Sequence, residues 1–209
     1  MRKKCSNILA ILTPNKKINL FVISIIFLGV ISGTIFFTTL SDVDKETVIT
    51  QMQTFFQNTK DNKLDNVQAF KNGLISNYLL VFTIWILGLS IIGTLFNVFL
   101  IFIKSFMIGF SLGSILFIYK AKGIIASFIY LFPTQLIFLF VYYLLGIYSL
   151  IITFSLIKQI FSSKNINFRK IIKKYLFILL VGIILILFAS FCESFVFPAL
   201  LKLVIKLFV

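Results

Sequence analysis

The sequence predicts an all-α fold: a polytopic transmembrane helical bundle of about five spans with one half-helix or re-entrant segment. Three observations predict it. Hydrophobic residues make up 60% of the 209 and charged residues 12%, against about 45–50% and about 25% in soluble domains. The mean hydropathy is +1.09. The apolar residues fall in long uncharged runs bounded by lysine-rich segments, and lipid is the solvent in which such runs need no hiding.

The chain opens on a basic segment, residues 1–17, with Arg2, Lys3, Lys4, Lys16 and Lys17 and no acid. Residues 18–40 follow without a charge. At ~1.5 Å per residue they reach ~34 Å, enough for a hydrocarbon core of ~30 Å. The run is longer than the apolar region of a cleavable signal peptide, so it reads as an uncleaved first span. Residues 41–73 are the one long polar stretch and hold Asp42, Asp44, Glu46, Asp61 and Asp65. Within them Val48, Met52, Phe55 and Phe56 recur at helical spacing, which predicts one or two short helices at the membrane surface or against a partner.

Residues 74–119 would make a single helix of ~69 Å, too long for a bilayer. They read as two spans, 74–93 and 98–119, with a turn near residues 93–97. Lys104 then falls near the start of the second of these, where its stem can reach the headgroups. Residues 124–157 are too long for one span and too short for two. Pro133 offers the break, because proline suits a first helical turn and disfavours helix in the residue before it. The reading is a half-helix over 124–132 and a span over 133–157. Residues 158–174 are basic without an acid, and 175–197 form the last span. Pro198 ends it, and Lys202 and Lys206 share one face of a terminal helix expected at the interface.

The positive-inside rule places 1–17 and 158–174 in the cytoplasm with an even number of spans between them. The chain then divides into a cytoplasmic N-terminus (1–17), a first span (18–40), an extracytoplasmic loop (41–73) and a multi-span core (74–209) whose C-terminus lies outside. The formal charge of +14 sits between apolar runs. That points to the lipid bilayer as partner and not to nucleic acid, which would call for a basic face on a soluble fold.

Glu193 is the one carboxylate within an apolar run, and an ionisable residue there is a functional candidate by default. A plain pairing with Lys120, Lys122 or Lys202 near the outer edge is the simpler expectation. Gly29 with Gly33, and Gly109 with Gly113, form small-xxx-small patterns that let helices approach closely, and Gly88 and Gly93 are further packing points. Packing within the chain is the simpler reading of these; the oligomeric state is left open. The chain has no His and two Cys. It therefore lacks the commonest imidazole base and cannot build a Cys₄ metal site. Cys5 and Cys192 fall on opposite membrane faces and do not pair. Walker-type loops, CxxC, HExxH and GxSxG are missing. No catalytic residue, metal site or cofactor is expected, and the chain is read as not an enzyme.

Four blocks carry a resemblance. They are Trp85-Ile86-Leu87-Gly88-Leu89-Ser90-Ile91-Ile92-Gly93, then Lys104-Ser105-Phe106-Met107-Ile108-Gly109-Phe110-Ser111-Leu112-Gly113. Leu131-Phe132-Pro133-Thr134-Gln135-Leu136 and Glu193-Ser194-Phe195-Val196-Phe197-Pro198 complete the set. In order and spacing they resemble the stage II sporulation protein M family. Wider relatives outside sporulation tend to carry a His and a Glu near the position of Pro133. Thr134, Gln135 and Phe138 stand here instead, which resembles the sporulation branch. The resemblance implies a membrane component of the engulfment machine. Such a protein would hold two peptidoglycan-cutting partners, stage II sporulation proteins D and P, at the septal membrane between mother cell and forespore. The expected function is thus a non-enzymatic scaffold in the cell membrane. The alternative is a membrane subunit of a transporter or permease, suggested by the broken 124–157 segment.

Overall fold

A computed structural model describes residues 16–61, 63–130, 132–162 and 168–205, without the side chains of 119, 121–130, 162 and 203–205. The basic residues before Lys16, Cys5, Lys164 and Lys206 lie outside the described residues, as do the side chains of the expected half-helix up to Leu131. The chain forms α1 (Lys16–Thr39), α2 (Asp42–Lys60), α3 (Asn66–Leu87), α4 (Ile91–Tyr130), α5 (Phe132–Ser162) and α6 (Phe168–Phe191). A π-turn (Cys192–Val196) then leads into α7 (Phe197–Ile205).

Five stretches are long and apolar enough to cross a bilayer: Lys16–Thr39, Asn66–Leu87, Ile91–Ile118, Phe132–Phe161 and Phe168–Lys202. The protein is a multi-pass membrane helical bundle. The starts of α1, α4 and α6 and the ends of α3 and α5 share one end, called here the basic end. The opposite end carries α2, the π-turn and α7, and there α7 packs against α2 and α4.

The caps explain where the helices begin. Ser41 caps α2, its Oγ accepting from Asp44 N at 3.2 Å. Asp65 caps α3, accepting from Val67 N at 3.1 Å and Gln68 N at 2.9 Å. A capped turn satisfies N–H groups that a helix start otherwise leaves unpaired. α3 therefore starts at Asn66, inside the polar stretch and before the first apolar residue. The next turn also differs from expectation. It lies at residues 88–90 and not at 93–97, because Ser90 Oγ accepts from Gly93 N at 2.9 Å and so starts α4 at Ile91.

Two breaks shape the end near α2. The α4 run is interrupted at Lys120, a non-glycine residue at φ 50 and ψ −130, a sparsely populated region for an L side chain. Residues 121–130 continue as helix beyond it, and Pro133 sits in the first turn of α5. Pro198 does not end the last span, in contrast to the sequence reading. The proline has no N–H to give, and its ring crowds the carbonyl four residues back. The chain answers by widening one turn, with Phe197 N–H reaching Cys192 O. Helix then resumes, and the terminal helix is packed on the bundle, with Leu201 fully buried.

α5 is the central helix. Its membrane-length stretch is 61% buried, against 17–39% for the other four. Tyr142, Leu145, Phe138 and Val141 sit in the core it makes with α1, α3, α4 and α6. Leu20, Phe27, Leu95 and Ile184 are exposed on the outside, as expected of side chains that meet lipid.

Candidate functional site

Gln135, Phe138 and Tyr142 are spaced by three and four along α5 and so share one face. Each meets a polar or charged neighbour from another element. Gln135 Nε2 donates to Glu193 Oε1 of the π-turn at 3.4 Å. The Phe138 ring has Lys104 Nζ of α4 above it, 5.9 Å from the centroid. Tyr142 donates to Asn77 Oδ1 of α3 at 2.9 Å, and Asn77 Nδ2 donates to Gly73 O at 2.8 Å. Lys104 and Glu193 are thus both held against this face of α5. A recess of about 110 Å³ lies between α4 and α5, lined by Lys104, Met107, Ile108, Ser111 and Gln135.

Lys104 is not near a helix start. Because α4 begins at Ile91, Lys104 lies ~20 Å along it, well inside the span. Its ammonium is served by the Phe138 ring face. The sequence reading paired Glu193 with Lys120, Lys122 or Lys202; a neighbour that reaches its carboxylate from another element is Gln135 of α5. Gln135 Oε1 is buried without a hydrogen-bond partner among the described residues.

A second polar cluster lies at the basic end. Thr94 Oγ1 is 2.8 Å from Ser149 Oγ and 2.7 Å from Thr153 Oγ1. Asn97 Nδ2 donates to Ile84 O at 2.8 Å and to Ser149 Oγ at 3.0 Å. Tyr175 donates to Ile84 O at 3.2 Å, and its ring stacks on Trp85 at 6.1 Å. A Cβ on Gly88 would run into Tyr175 Oη and Ser149. A Cβ on Gly93 would meet Leu87 O. These groups tie α3, α4, α5 and α6 together where the chain turns. Apart from Gly88 and Gly93, sequence reasoning missed them. The available signal was small polar residues recurring three or four apart inside apolar runs, as in Ser149 and Thr153.

The other four glycines singled out in the sequence meet between α1 and α4. A Cβ on Gly33 would strike Phe106 O, and one on Gly109 would strike Val30 O. Gly29 faces Ser105, and Gly113 lies against Thr34. Thr34 Oγ1 donates across the seam to Gly109 O at 3.0 Å. The two small-xxx-small patterns thus face each other. Among the described residues no three of His, Cys, Asp and Glu gather at one place.

A family model described as Stage II sporulation protein M matches residues 20–198. The chain belongs to the stage II sporulation protein M family. With its five apolar helices, this membership makes it a multi-pass sporulation membrane protein. No curated protein and no solved structure gave a match. Within this family member, three of the four sequence blocks quoted above converge in space. The Lys104, Gln135 and Glu193 blocks meet around the recess, while the Trp85–Gly93 block forms the turn at the basic end.

Proposed function

We propose that this member of the stage II sporulation protein M family is a non-enzymatic scaffold. It recruits and holds the septal peptidoglycan hydrolases, stage II sporulation proteins D and P, during engulfment. It sits at the septal and engulfing mother-cell membrane, with its N-terminus in the cytoplasm and its C-terminus outside. The observation that carries the reading is an apolar groove of about 1010 Å³ along α1, α4 and α5, walled by Ile23, Phe27, Val30, Leu112, Leu136 and Phe140. A groove of that kind on the lipid face suits one anchoring helix of a partner, since helices in lipid associate by close packing and interhelical hydrogen bonds. Gln135 lines both the groove and the recess. The non-enzymatic part rests on the sequence: there is no His, and Glu193 has no second carboxylate beside it in the spans for acid–base work.

Copurification after detergent extraction tests the proposal. Both hydrolases should stay with the wild-type chain in crosslinked sporulating cells. They should be lost when Ile23→Trp and Leu136→Trp fill the groove. If neither hydrolase is retained by wild type, the proposal fails.

The recess favours the second reading, a permease subunit, because it places polar groups near Pro133. At about 110 Å³ it has room for a few waters but falls below the ~300–1,000 Å³ of ordinary ligand pockets. The scaffold is therefore the preferred reading.

A further inference from the structure

A second groove lies at the basic end, between the start of α1 and the last turns of α5. It measures about 520 Å³ and is lined by Lys17, Ile18, Phe21, Leu150, Phe154 and Lys158. Its composition is divided. Ile18, Phe21, Leu150 and Phe154 make an apolar wall, and Lys17 and Lys158, both exposed, stand at the membrane-end positions of their helices. Apolar wall below and cations above is the complement of an amphiphile with a negative head.

We propose that this groove is a binding site for one anionic phospholipid, with an acyl chain along the Phe21–Phe154 wall and the phosphate between Lys17 and Lys158. The occupant is a lipid because the groove opens to the bilayer, where lipid is always at hand, and because basic pockets between spans at a membrane surface select anionic headgroups. It is anionic because two lysines and no carboxylate line the groove. The chain's six acids are Asp42, Asp44, Glu46, Asp61 and Asp65, in or beside α2, and Glu193 in the π-turn. All six lie at or toward the other end of the bundle. The volume falls within the range of small-molecule sites, ~300–1,000 Å³. The site is separate from the α1–α4–α5 groove of the scaffold reading and does not depend on it.

Native mass spectrometry of the full chain in mild detergent tests this, with phosphatidylglycerol and phosphatidylcholine of equal chain length as probes. Wild type should retain phosphatidylglycerol roughly thirtyfold better, in line with the attraction of two lysines for an anionic surface. Lys17→Gln with Lys158→Gln should bring the two lipids to parity. Lys173→Gln with Lys174→Gln removes the same charge away from the groove and should leave the preference intact. Excess inorganic phosphate should displace nothing. The proposal is overturned if wild type shows no preference or if the Lys17/Lys158 variant keeps it. It is also overturned if both double variants lose the preference alike, which would indicate a diffuse field, or if phosphate competes, which would indicate a free-anion site.

Discussion

At the scale of single residues, Lys104 and Glu193 are the costliest side chains to hold in a membrane. Phe138 presents its ring to the ammonium, and Gln135 gives the carboxylate a hydrogen bond. Removing one charge takes away the field it exerts on the other, on the order of 1–2 kcal/mol for charges beyond direct ion-pair distance. Lys104→Met or Glu193→Gln alone should therefore lower the unfolding temperature in detergent by several degrees. The double variant should recover part of that loss, with a coupling of about 1 kcal/mol or more. Simple additivity of the two single effects would show that the charges do not cooperate. Both residues were visible in the sequence as lone charges in apolar runs; their proximity was not. Sequence position put Lys104 near a helix start because the preceding turn was placed at 93–97, and the cue that moves it, Ser90 as a cap, is a single hydroxyl among apolar neighbours.

At the scale of elements, the α1–α4 seam is the closest helix pair, and its glycines set the approach. Gly33 and Gly109 face backbone carbonyls across the seam, which cannot swing aside as a side-chain tip can. Gly33→Ala and Gly109→Ala should each destabilise the bundle by about 1–3 kcal/mol through overpacking. Gly73→Ala is the control: a Cβ there has nothing within 4 Å. It should be neutral or stabilise α3 by up to about 1 kcal/mol, since alanine is the better helix former. Thermal unfolding of the three variants in one detergent checks the ranking; equal effects would remove the seam argument. The spacing of these glycines was legible, and so were the number of spans and the helix in the polar stretch. The π-turn was not. Proline signals a disturbance, but whether the chain stops, kinks or widens depends on the packing of Leu201 and its neighbours beyond it.

At the scale of the whole molecule, five helices long and apolar enough to span would, each crossing once, carry the chain from one membrane face to the other. Reporters fused to the N- and C-termini should therefore give opposite signals in an intact-cell accessibility assay, with the N-terminal one protected from outside if the basic end faces the cytoplasm. Matching signals at both termini would contradict five crossings. The division into membrane bundle and polar stretch was legible because hydropathy alone dictates it. The centrality of α5 was not legible, since it arises from contacts distant in sequence and its composition resembles that of its neighbours. One arrangement described above also makes the protein its own sensor. It has a single Trp, and that indole lies stacked on Tyr175 where α3 meets α6. Excited selectively, its emission therefore reports on that one place, and a shift on adding lipid or a partner would show a change where those two helices meet without any label.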